Sequence, residues 1–120
     1  MKILIADDSR VMRAIVTRTL RQAGYDGHEL IQAGDGAEAL DLVLEEQPDL
    51  VLSDWNMPEM NGIDLLYRLR EQGVAVPFGF VTSEGSPEMR ERAESAGALF
   101  LITKPFTAES FREALDPWLG

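Results

Sequence analysis

Apolar residues fall along the chain in short blocks that alternate five times with stretches of helical spacing. Blocks of this length bounded by turn formers match strands buried on both faces, and apolar positions at i, i+3, i+4 and i+7 make one stripe of a helix. The first block, Lys2 to Ala6, leads into a helix whose Met12, Ile15, Val16, Leu20 and Ala23 form a stripe opposite Arg10, Arg13 and Arg21, with Gly24 as its C-terminal cap. The second block, His28 to Ala33, precedes a helix from Ala37 to Glu46 with Ala37, Leu40, Val43 and Leu44 facing inward and Pro48 as its stop. The third block runs from Asp49 to Ser53. After it comes a loop, Asp54 to Asn61, long for its position, and a helix with Ile63, Leu66 and Leu69 on one face. The fourth block, Val76 to Thr82, is followed by a helix with Ser86 as N-cap, Pro87 at its first position and Gly97 at its end. The fifth, Ala98 to Thr103, precedes a last helix that starts at Thr107, sets Phe111, Ala114, Leu115 and Trp118 on one side and ends early at Pro117. Strand and helix in strict alternation predict an α/β fold, a (βα)5 doubly wound five-stranded parallel sheet with helices on both faces.

Composition narrows what such a fold can do. The 120 residues give room for one domain, and no internal repeat, low-complexity tract or linker divides residues 1–120. The formal charge of −10 would repel nucleic acid and anionic lipid, so neither is an expected partner. With no cysteine, disulfides, thiol catalysis and cysteine-ligated zinc are excluded. Only four apolar residues stand between Lys2 and Asp7-Asp8, which is no export signal, and the longest apolar run, Ala98 to Ile102, is far shorter than a membrane helix. A soluble cytoplasmic protein is the expectation.

Ligands of open parallel sheets bind outside the carboxyl ends of the strands. There stand Asp7-Asp8, Asp54, Thr82 and Lys104. Each has an ordinary reading alone: a helix cap for Asp7-Asp8, a turn residue for Asp54, a β-branched strand residue for Thr82, an exposed lysine before a turn proline for Lys104. If the first strand lies between the second and third, however, three carboxylates meet at one edge. Two carboxylates about 4 Å apart repel by roughly 1–4 kcal/mol, and a hard cation such as Mg²⁺ relieves that repulsion while keeping coordination positions for a phosphate. Carboxylate, metal, hydroxyl and ammonium together are parts for phosphoryl transfer to an aspartate, with Asp54 as nucleophile.

The residues that carry this pattern are Asp7-Asp8 after the first strand, the segment from Asp54 through Trp55, Asn56, Met57, Pro58, Glu59, Met60 and Asn61 to Gly62, Thr82 closing the fourth strand, and Lys104-Pro105-Phe106 closing the fifth. Over its whole length the chain resembles the receiver domains of two-component response regulators, especially the single-domain chemotaxis type. The resemblance implies a flavodoxin-like strand order 2-1-3-4-5 and a phospho-acceptor switch. Asp54 takes the phosphoryl group, Asp8 and Asp54 ligate Mg²⁺ together with the backbone carbonyl of Asn56, and Asp7 holds the ion through water. Thr82 and Lys104 contact phosphoryl oxygens, the Lys104-Pro105 peptide is cis, and Asn56 and Glu84 tune how fast the aspartyl phosphate hydrolyses. The implied partners are a sensor histidine kinase or phosphotransfer protein as donor and an output protein that reads the face of the fourth helix, fifth strand and fifth helix. The chain catalyses only its own phosphorylation and dephosphorylation.

At one position the sequence departs from the pattern. Leu101 stands where most family members carry the tyrosine or phenylalanine that swings inward on activation, and the neighbouring Phe100 points to the other face of the strand unless the strand bulges. A switch working through Thr82 alone, or through a rotamer change of Leu101, would then carry the signal. Two alternatives compete: a receiver cut from a longer regulator with a DNA-binding or enzymatic output, and a phosphatase of the haloacid dehalogenase kind. The latter normally has an aspartate two residues after its nucleophile, where this chain has Asn56. His28, the only histidine, lies at the far end of its strand from the site.

Overall fold

A computed structural model of the protein describes residues 1–119. Its elements alternate along the chain as β1 (Lys2–Ala6), α1 (Arg10–Gln22), β2 (Glu29–Ala33), α2 (Gly36–Glu46), β3 (Leu50–Ser53), α3 (Gly62–Glu71), β4 (Phe78–Thr82), α4 (Pro87–Ser95), β5 (Phe100–Thr103) and α5 (Ala108–Leu119). The strands form one parallel sheet in the order β2-β1-β3-β4-β5. This is the flavodoxin-like order, and it puts β1 between β2 and β3.

Successive side chains of a strand point to opposite faces, so each buried strand feeds two cores. Leu4, Val51, Phe78 and Phe80 pack with Val43 of α2, Leu66 and Leu69 of α3 and Ala93 of α4. Ile3, Ile5, Leu52, Val81 and Ile102 pack on the other face with Val16 and Leu20 of α1 and Phe111 and Leu115 of α5. Helices α1 and α5 thus cover one face and α2 to α4 the other.

Several expectations are corrected. Of the expected inward side of α2, Val43 is buried and Leu40 packs against the core, but Ala37 and Leu44 are exposed and Gly36 and Ala39 take their place. Its phase is set by a reciprocal cap: Asp35 Oδ1 accepts from the Glu38 N–H at 2.7 Å, and Glu38 Oε1 accepts from the Gly34 N–H at 2.7 Å. Six apolar residues between Ala37 and Leu44 support more than one stripe, and the cap selects among them. Strands β2, β3, β4 and β5 each begin one or two residues later than the apolar blocks; Pro77, with no N–H to give the ladder, stays outside β4. Helix α5 opens on a reciprocal cap between Thr107 and Ser110 and continues through Pro117, which sits exposed in its last turn where proline removes only one terminal bond. Trp118, expected on the inward side, is 51% exposed.

Candidate functional site

The register of the sheet builds the site. Ala6 pairs with Ser53, so the residues that follow them leave the sheet side by side. The Asp54 N–H donates to the Ala6 carbonyl at 2.8 Å, and the Asp7 N–H donates to the Ala33 carbonyl at 3.1 Å. Each carboxylate then has one oxygen held by backbone. Asp7 Oδ1 accepts from the Ser9 N–H at 2.9 Å, and Asp54 Oδ1 accepts from the Trp55 N–H at 2.7 Å. Their second oxygens share one cation, Lys104 Nζ lying 3.0 Å from Asp7 Oδ2 and 3.2 Å from Asp54 Oδ2. Lys104 is set in place where its N–H donates to the Thr82 carbonyl at 2.8 Å, and the Lys104–Pro105 peptide that follows is cis. Burial pulls the Lys104 pKa down, but the two carboxylates push it up by more, so the net shift is upward and the ammonium stays charged at neutral pH.

Asp8 completes a group of three carboxylates with one oxygen from each within 4.8 Å of the others. Asp7 is 3% exposed, Asp54 half-buried and Asp8 exposed, so the cluster opens to solvent on the Asp8 side. One ammonium among three carboxylates leaves negative charge to be balanced, and the donors are hard anionic oxygens. The cluster therefore fits a small divalent cation.

Around this centre the predicted residues divide into those in contact and those at the mouth. Thr82 is fully buried at the end of β4, and its Oγ1 accepts from the Glu84 N–H at 3.4 Å, which ties it to the β4–α4 loop. Asn56 and Glu84 are exposed and face each other across the mouth, Asn56 Nδ2 lying 3.5 Å from Glu84 Oε1. Leu101 is half-buried on the α2–α4 side. Phe100 packs in the opposite core, and β5 pairs with β4 in unbroken register from Phe100 to Thr103, so no bulge brings the aromatic round. Trp55 is 7% exposed and packs on Phe80, ring centres 4.8 Å apart.

Two further residues shape the site, Arg13 from the helix face expected to meet solvent and Gly62 from the end of the Asp54 segment. Arg13, read as part of the solvent face of α1, is half-buried; its Nη1 donates to the Asp7 carbonyl at 2.5 Å and its Nε to Gln32 Oε1 at 3.0 Å. It braces the peptide that joins Asp7 to Asp8, and nothing in the spacing of α1 separates it from Arg10. Gly62, the first residue of α3, packs so closely that a Cβ there would lie 2.1 Å from the Asp54 carbonyl oxygen. Its N–H donates to the Trp55 carbonyl at 2.7 Å, closing the loop beneath Asp54.

Comparison with known proteins decides the family. The response regulator receiver domain model matches residues 3–116. The chain belongs to the response regulator receiver family. It is 39% identical over 123 residues to a chemotaxis protein CheY homolog of Campylobacter jejuni, an alignment covering 100% of this chain and 93% of that protein. It is 42% identical over 118 residues to the chemotaxis protein CheY-3 of Vibrio cholerae, covering 97% of this chain and 89% of that protein. Among solved structures, the chemotaxis protein CheY4 of Vibrio cholerae superposes with a TM-score of 0.84 at 36% identity over 98% of each chain. The protein is thus a receiver of two-component signalling with CheY-like dimensions. Receivers of this kind are not metabolic enzymes, and among the described residues no helix is long and apolar enough to cross a membrane.

Proposed function

We propose that this receiver is switched by phosphorylation of Asp54, with Mg²⁺ as cofactor and a histidine kinase or phosphotransfer protein as donor. The observation that carries this reading is the geometry of Asp54: a strand-end carboxylate with one oxygen on a backbone N–H, the other on Lys104, and two further carboxylates within 4.8 Å. In the forward step a carboxylate oxygen of Asp54 attacks the donor phosphorus. The bond from phosphorus to the donor imidazole nitrogen breaks, and its electron pair leaves with the imidazole. In dephosphorylation water attacks phosphorus, the bond from phosphorus to the Asp54 oxygen breaks, and inorganic phosphate departs as the carboxylate is restored.

Asp8 and Asp54, the Asn56 backbone carbonyl and, through water, Asp7 would hold Mg²⁺, which when bound neutralises charge on the phosphoryl oxygens. Lys104 gives up part of its contact with Asp54 and pairs with a phosphoryl oxygen instead, a charge-assisted bond. Thr82 offers its hydroxyl hydrogen to another. Asn56 and Glu84, at the mouth, govern how the attacking water approaches and so how long the phosphoryl group lasts. A phosphoryl group can shift the molecule only by bonding better in one of two conformations, and Thr82 and Lys104 supply that difference. The change reaches α4, β5 and α5, where Leu101 repacks and an output protein binds. Residues 1–120 act as one such unit.

The test is the intact mass of the protein after incubation with acetyl phosphate, with Mg²⁺ and with EDTA, for wild type and Asp54→Ala. The expected result is one labile phosphoryl adduct that requires Mg²⁺ and is missing from the variant. An unmodified wild type, or an equal adduct on Asp54→Ala, would overturn the proposal.

A further inference from the structure

Between the phospho-acceptor site and Leu101 one exposed side chain spans two elements, with no acidic partner among the described residues. Arg90, on the first turns of α4, reaches back so that its Nε donates to the Gly85 carbonyl at 3.2 Å, and reaches across so that its Nη1 donates to the Leu101 carbonyl at 3.3 Å. One guanidinium thus joins the β4–α4 loop to β5. The loop sits tightly there, since a Cβ on Gly85 would lie 2.4 Å from Thr103 Cγ2 and 3.2 Å from Arg90 Nη2. Shallow depressions open on either side of the bridge, one between α4 and β5, the other between β5 and α5, and Arg90 and Leu101 line both.

The loop that Arg90 holds is the one Thr82 also holds. Thr82 Oγ1 accepts from the Glu84 N–H, and Glu84 precedes Gly85. A phosphoryl group that recruits the Thr82 hydroxyl draws on this loop, and a displaced loop must part from Arg90 or carry it along. Both acceptors of Arg90 are backbone carbonyls, so the bridge works whatever side chain stands at 101.

Resting on the reading that Asp54 is phosphorylated, we propose that Arg90 is a strap that holds the β4–α4 loop against β5 in the unphosphorylated receiver. Its release is then a step of the switch in this chain, in place of an aromatic side chain at 101. Because the strap acts through Gly85 and Leu101 rather than on the reacting atoms, Arg90 is a positioning residue.

The test compares wild type with Arg90→Met, which keeps the aliphatic stem and removes both donors, and with Arg90→Lys, which keeps the charge but cannot reproduce the two-armed guanidinium. Amide hydrogen exchange without Mg²⁺ or phosphate reads the loop directly; residues 83–85 are expected to exchange faster in both variants while the β1 and β3 amides do not change. Phosphorylation by acetyl phosphate with Mg²⁺ should be about two- to ten-fold faster in both, the population shift that loss of about 0.5–1.4 kcal/mol of hydrogen bonding gives. A merely structural arginine would lower thermal stability without quickening phosphorylation. Unchanged exchange at 83–85, an unchanged or slower rate, or a lysine variant that behaves as wild type would each overturn the strap. A wild type inert to acetyl phosphate would overturn the phosphorylation reading instead, and the exchange experiment would still decide whether Arg90 holds the loop.

Discussion

Three carboxylates close enough to share one cation should make the protein less stable without an ion than it could be, and Asp8→Asn measures by how much. The oxygens concerned lie within 4.8 Å of one another. At that separation two like charges repel by about 1 kcal/mol in a water-like medium and about 3–4 kcal/mol at an effective dielectric constant near 20. Asp8 is exposed, which places it near the lower figure. It faces Asp7 and Asp54, worth about 2 kcal/mol together, and attraction to Lys104 and to the amino end of α1 returns about half. Replacing Asp8 with asparagine, of nearly the same shape, should therefore stabilise the protein in EDTA by about 1 kcal/mol, or about 3–5 °C in melting temperature. With Mg²⁺ the order reverses. Free ion at a hundred times its dissociation constant stabilises wild type by about 2.7 kcal/mol, whereas Asp8→Asn, short of a ligand, gains little. Thermal melts of both proteins in EDTA and across a Mg²⁺ titration give both signs. A variant that melts below wild type in EDTA, or that gains as much from Mg²⁺, would refute the reasoning.

Removing Lys104 does the opposite to the same cluster. Lys104→Ala leaves Asp7, 3% exposed, and Asp54 without their shared cation, and should cost about 3 kcal/mol in urea denaturation while still permitting Mg²⁺-dependent phosphorylation. The phosphorylated variant should show no change in amide exchange along α4, and a response equal to wild type would mean that Lys104 does not transmit the signal. At the other end of the molecule Tyr25, buried and donating its hydroxyl to Asp116, has its pKa pushed up from 10.0 to about 12, by burial first and then by Asp116. The folded state holds that proton more tightly than the unfolded chain, so the contribution of Tyr25 is complete below pH 10 and is lost as pH rises through about 12. Tyr25→Phe should be about 1 kcal/mol less stable at pH 8, and urea midpoints should show that gap closing between pH 10 and 12; a gap that stays constant or widens would contradict the assignment.

What could be read from the chain and what could not divide along the range of the interactions. The strands were legible because a strand buried on both faces has no polar position to conceal it, and Ile3, Leu4 and Ile5 or Leu50, Val51 and Leu52 can be little else. Their ends were less so, since Pro77 and Leu99 contact neighbouring strands through one backbone bond apiece without joining the ladder. In α2 periodicity found Leu40 and Val43 but not the exposure of Ala37 and Leu44, because six apolar residues from Ala37 to Leu44 leave more than one stripe open. Asp7, Asp8, Asp54 and Lys104 were legible as candidates because the end of a strand is also a place in the sheet: once β1 lies between β2 and β3, their proximity follows from backbone register. Arginines carry no such signature. Arg13 and Arg10 share a helix and a spacing, yet only Arg13 turns inward to the Asp7 carbonyl. Arg90 reads as one more charge on a charged helix until the Gly85 and Leu101 carbonyls are seen to converge on it. Both bond to backbone oxygens, which every residue carries, and only the second bond of Arg13, to Gln32, has a side-chain partner. The candidate site is therefore legible in its carboxylates and its lysine, whereas the arginine contacts around it appear only when the chain is folded.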